Sequence, residues 1–75
     1  MLDLYSCAVG KSYRISKLLL DRSVCARLEA IGLNKDAYVS VSIKNSNGVI
    51  VNVHGAKIAI SKKLSRWIVT KQNNE

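Results

Sequence analysis

The chain of 75 residues contains no proline and no phenylalanine, and its four aromatic residues are Tyr5, Tyr13, Tyr38 and Trp67. Its two cysteines, Cys7 and Cys25, are too few for a disulfide scaffold and too far apart for a CxxC redox pair or half of a zinc site. That scarcity points to a reducing compartment. No unbroken apolar run exceeds three residues, as at Leu18-Leu19-Leu20, far short of the ~20 that span a bilayer. The first twenty residues also lack a positive stretch followed by an apolar one. A cytoplasmic protein without a leader is expected. Five acidic side chains stand against twelve Lys and Arg, giving a net charge of +7. At this length a second domain does not fit, so one small basic domain spanning residues 1–75 is expected.

Catalytic and metal chemistry are equally thin. There is no Gly-rich phosphate loop, no nucleophile elbow and no pair of carboxylates in a shared setting. His54 is the one histidine, and Asp3, Asp21, Glu29, Asp36 and Glu75 are scattered over separate elements, so three convergent metal ligands are not in view. A domain this small also leaves little room for a substrate pocket of ~300–1,000 Å³. Neither an enzyme nor a cofactor is expected, and His54 and Cys25 read as a rim residue and a partly buried helix residue.

What is present is periodicity. Tyr13 and Ile15 alternate with Ser12, Arg14 and Ser16, the pattern of a strand buried on one face. Val24, Leu28 and Ile31 recur at helical spacing, with Arg22, Arg27 and Glu29 opposite. Asp21 or Ser23 can cap that helix, and Gly32 can close its last turn with Leu33 folding back on Leu28. Residues 38–43 alternate again, with Val39, Val41 and Ile43 on one face. The run Lys44-Asn45-Ser46-Asn47-Gly48 is then a hairpin signal that returns residues 49–53 antiparallel. Gly55 turns the chain into a third strand of this meander, residues 57–60. Ser61 caps a short helical turn over residues 62–65, residues 67–70 form a last strand, and residues 71–75 fray. The pattern is that of a mainly β fold: a small, partly open five-stranded SH3-like barrel with one inserted helix and a short helical turn before the last strand. Pairing of the last strand with the first would close it and protect its edges.

Four stretches in this order resemble the ferrous iron transport protein A family, FeoA, and the related SH3-like domain of metal-dependent repressors. They are Leu4 through Val9-Gly10, the helix end Arg27-Leu28-Glu29-Ala30-Ile31-Gly32-Leu33, the Val39 and Val41 strand, and Gly55-Ala56-Lys57-Ile58-Ala59-Ile60. The helix end is the most specific. The family usually has proline where Val9 stands and Pro-Gly where Lys35-Asp36 stands, so both turns lose pre-organisation here. Cys7 takes a leucine-like position, which implies core packing. The resemblance implies a cytoplasmic accessory protein, not an enzyme, that binds and modulates FeoB, a membrane transporter with a cytoplasmic G domain and a ferrous iron permease.

The remaining feature is basic charge. Lys57, Lys62, Lys63 and Arg66 crowd the short helical turn, Lys71 follows, and no acidic residue lies between Gly55 and Asn74. Arg14 and Lys17 sit on the strand expected to pair with the last. A cationic docking surface formed by Lys57, Lys62, Lys63, Arg66 and Trp67 follows. Its partners are the transporter and the anionic inner leaflet of the membrane, where each Lys or Arg near the surface is worth roughly 1 kcal/mol. The competing reading is a stand-alone nucleic-acid-binding module, for which a pI near 9.8 is one footprint. Few aromatics are available for base stacking, which weakens it.

Overall fold

The structure is a computed structural model that describes residues 2–72. Alternation decides most of its strands. In β2 (Ser12–Leu18) Tyr13 and Ile15 are buried. In β3 (Tyr38–Asn45) Val39 and Val41 are buried, and in β4 (Gly48–Val53) Val49, Val51 and Val53 are buried. β5 (Ala56–Ser61) follows, and β6 (Ile68–Gln72) sends Ile68 into the core. Two helices interrupt the strands, α1 (Arg22–Ala30) after β2 and α2 (Lys62–Ser65) after β5. A two-residue strand at the start, β1 (Leu2–Asp3), and a 3-10 turn (Leu4–Ser6) precede them all.

The strands form one antiparallel sheet in the order β1-β6-β2-β3-β4-β5, bent around a shared core that runs from Leu4 to Ile68. This is the expected SH3-like architecture with two corrections. The described residues form six strands rather than five, because Leu2 and Asp3 pair with Thr70 and Val69. No alternation marks a strand of two residues, and only its partner creates it. The sheet is also not closed. The last strand does pair with β2, as expected, but β1 and β5 remain as separate edges.

Three smaller differences have physical causes. Lys71 and Gln72, assigned to the frayed tail, instead extend β6 opposite Arg14 and Tyr13, while residues 73–75 lie outside the described residues. Trp67 belongs to the turn before β6 and not to the strand. Ile43, expected to point inward with Val39 and Val41, is 51% exposed. The register between β3 and β4 shifts after Val41, and because side chains alternate strictly, one extra residue turns Ile43 to the outer face opposite Ile50.

The cap of α1 explains a fourth. Asp21 accepts from the Val24 N–H at 3.0 Å and from the Ser23 hydroxyl, and these bonds hold its carboxyl below the usual value. At the other end Gly32 has φ +101°, its N–H donates to the Glu29 carbonyl at 3.1 Å, and the Leu33 N–H reaches the Leu28 carbonyl at 2.9 Å. This pair of bonds is the Schellman closure. It buries Leu33 completely beside Leu28 and leaves Ile31, which was expected on the buried side, 50% exposed. The helix ends one residue too early for Ile31 to reach the core. In the turn before β3, Asp36 holds φ +70° at one of the two turns expected to lose pre-organisation. The left-handed conformation is therefore kept by a residue that tolerates it.

Candidate functional site: a basic cleft beside the second helix

Ser61 ends β5, and its hydroxyl accepts from the Leu64 N–H at 3.2 Å, which starts α2. One helical turn then sorts its residues by face. Leu64 packs against the core and Ser65 is fully buried, its hydroxyl donating to the Lys62 carbonyl at 3.0 Å. Lys62, Lys63 and Arg66 are left on the exposed side. Main-chain bonds fix Trp67 in place, since its N–H donates to the Leu64 carbonyl and its carbonyl accepts from the Leu19 N–H at 2.8 Å. The indole nevertheless stays 52% exposed. The backbone is held while the ring lies half in solvent.

Lys62, Lys63, Arg66, Trp67 and Asp3 line an open cleft of about 630 Å³. A cleft this large was not expected of so short a chain. Four of the five expected docking residues therefore meet. Lys57 does not line the cleft: it lies on β5 opposite Asn52, five residues before Lys62, or roughly 16 Å away along an extended strand. Lys71 is separated in the same way. It faces Arg14 across β6 and β2, and the Arg14 guanidinium lies 5.1 Å from the centre of the Tyr38 ring. The stretch that reads as one basic patch is thus three places in space.

Two residues at this corner carried no signal in the sequence. Asp3 comes from β1 and accepts from the Ser6 N–H at 2.8 Å. Tyr5 donates its hydroxyl to the Asn45 carbonyl at 2.7 Å and carries two ammonium groups near its ring, Lys62 at 5.2 Å and Lys44 at 5.6 Å. Such contacts lend each lysine about 0.5–1 kcal/mol at an exposed site. Both residues lie almost sixty positions from α2, so spacing could not have found them.

The cleft contains no histidine, cysteine or hydroxyl nucleophile among its lining residues, and its chemistry is positive charge beside a stacking surface. Elsewhere, no group of three or more His, Cys, Asp or Glu side chains that could hold a metal ion occurs among the described residues. His54 stands in the turn between β4 and β5 with φ +51°. Cys7 is buried, within 3.2 Å of the Thr70 hydroxyl, and its burial pushes the thiol above its ordinary value. Cys25 is half-buried and donates to the Leu20 carbonyl at 3.3 Å. Tyr13 is core, and its hydroxyl accepts from the Ala8 N–H at 2.9 Å.

The FeoA domain family model matches residues 2–71. A FeoA protein from Chlorobium tepidum has the same fold, with a TM-score of 0.89 at 17% identity over 97% of this chain and 71% of that one. An iron uptake regulatory protein (FeoA) known from a crystal structure gives 0.86 at 22% identity over 93% and 95%. Iron(II) transport protein A from Clostridium thermocellum gives 0.88 at 14% identity over 96% of this chain and 46% of that one. Search of the curated proteins finds no match.

Proposed function

Since this chain belongs to the FeoA domain family, we propose that it is a cytoplasmic accessory protein of ferrous iron uptake that binds and modulates an FeoB-type transporter. Family membership supports the accessory role in ferrous iron transport. The observation that carries the docking surface is the corner of α2, where Lys62, Lys63, Arg66 and the half-exposed Trp67 share one cleft. Exposed aromatic and arginine side chains are the types that anchor protein interfaces. Lysines at the same corner speed the approach to an acidic partner. They also hold the protein against an anionic inner leaflet without inserting anything, and no helix among the described residues is long and apolar enough to cross a membrane.

Co-purification with an FeoB-type transporter from membranes tests this reading. Binding is expected for the native chain and lost when Lys62, Lys63 and Arg66 are all changed to Glu, with the fold intact by circular dichroism. Retention of binding by that variant would move the docking surface elsewhere. Tight, salt-sensitive capture of nucleic acid without transporter binding would replace the proposal altogether.

A further inference from the structure

Because the sheet does not close, β5 is an edge, and its six residues are paired on one side only, to β4. Natural edges are usually blunted by proline, by a bulge or by brevity. β5 has none of these: its register with β4 runs unbroken through six pairs, whereas the β2–β6 and β3–β4 pairings each shift once. Its one guard is a charge, Lys57, another device that natural edges use. Every second residue of such an edge turns its N–H and C=O away from the sheet, unpaired by any strand.

Both faces beside this edge offer apolar surface. On the outer face the shifted Ile43 pairs with Ile50, and Ile50 pairs with Ala59, so an apolar row runs across three strands to the edge. A groove of about 280 Å³ lies there, lined in part by Ile43, Ile50, Ala59, Asn47 and Ser61. On the inner face Ile58 pairs with the fully buried Val51 yet remains half-buried itself, packed at the rim of the core. The edge is flanked by Lys57 near one end and Lys62 just beyond the other.

We propose that β5 is a docking edge for an extended acidic segment of another protein. The segment adds a seventh strand antiparallel to β5, its backbone pairing with the free N–H and C=O groups. One aliphatic side chain enters the groove opposite Ala59, and carboxylates two residues to either side meet Lys57 and Lys62. The inner-face side chains of the segment cover Ile58. Backbone pairing supplies the affinity and the alternating pockets the selectivity, as in other strand-addition complexes. A second copy of this chain is the wrong occupant: two β5 edges side by side would bring lysines together across the new pair, between chains that each carry +7. The inference goes beyond the docking cleft of α2 and holds whichever protein supplies the segment.

The test uses the full chain, labelled with nitrogen-15, and the capped peptide Thr-Glu-Val-Val-Val-Glu-Thr. At about ten times the dissociation constant, hydrogen exchange of alternate β5 amides should slow about tenfold, and resonances of Ile43, Ile50 and Ala59 should shift. Replacing both glutamates of the peptide with lysine should weaken binding roughly tenfold. N-methylating its edge-facing amides should also weaken it about tenfold. Lys57→Glu in the protein should weaken the acidic peptide and strengthen the lysine peptide. Shifts confined to Lys62, Lys63, Arg66 and Trp67 would overturn the proposal, as would indifference to N-methylation, self-association through β5, or no binding at millimolar peptide. Transporter co-purification is read separately, so either reading can fail alone.

Discussion

The two edges of the sheet carry the same backbone chemistry and are finished in opposite ways. At β1 two part-buried carbonyls are tied to neighbouring side chains: the Thr70 hydroxyl donates to the Leu2 carbonyl at 2.9 Å, and the Cys7 thiol lies 3.4 Å from the Asp3 carbonyl. Asp3 itself caps the 3-10 turn that leads the chain away after two residues. β5 is three times as long, has no bulge, and carries one lysine in place of those bonds. The difference shows that an edge can be blunted by brevity, which leaves any partner little to pair with, or guarded by charge, which excludes only partners of the same sign. The second kind leaves a selective opening.

The largest expected effect is that of unseating β5. Gly48 has φ +154°, and a Cβ there would stand 2.2 Å from the Ile60 carbonyl oxygen and 3.0 Å from the Lys62 nitrogen. Gly48→Ala should therefore push β5 and the start of α2 outward and cost about 3 kcal/mol, read by chemical denaturation. Gly55→Ala is the control, with φ +81° but open space, and should cost only about 1–2 kcal/mol. In the Gly48 variant, amide exchange should rise first in β5 while β1 stays protected; equal loss at both edges would mean they are not independent.

The short edge gives the next effect. Thr70→Val keeps the shape of a buried side chain but removes the donor to the Leu2 carbonyl and one of the two polar neighbours of the Cys7 thiol. A loss of about 1–2 kcal/mol is expected, with faster exchange in β1 and no change in β5. A smaller effect concerns Cys7, whose thiol is raised above its ordinary 9.0 by burial. The folded state then disfavours the thiolate. Its stability contribution is complete below the ordinary value and is lost as pH rises from there toward the higher folded value. The melting temperature should fall above pH ~9, and Cys7→Ala should flatten that fall. The smallest effect belongs to the open edge: Lys57→Glu should change stability by no more than ~0.5 kcal/mol, because the residue is exposed. A large loss there would show that Lys57 braces the edge and does not merely guard it.

Local rules reached far into this fold. Alternation marks β2, β3, β4 and β5, and the Asp21 and Gly32 caps bound α1 closely, because each of these depends on residues within a turn or two of one another. The helix cap even shows why Leu33 and not Ile31 enters the core, although helical spacing alone favours Ile31. Local rules failed where a distant partner decides. β1 exists because β6 offers it a ladder, β6 runs two residues further because β2 continues beside it, and Ile43 faces outward because β4 imposes a shifted register. The candidate cleft divides along the same line. Lys62, Lys63, Arg66 and Trp67 are neighbours in sequence and one helical turn gathers them, whereas Asp3 and Tyr5 arrive from the other end of the chain.

The sequence by itself determined a small mainly β domain, its capped helix, its hairpins and its family resemblance, since all of these rest on patterns a few residues long. It also determined the excess of positive charge. Only the tertiary structure decided how that charge is shared out: extended backbone in β5 carries Lys57 roughly 16 Å from the cleft, and sheet pairing takes Lys71 to Arg14. It alone decided, too, that the sheet stays open, because closure depends on where two strands that are far apart in sequence finish relative to one another, which no local pattern encodes.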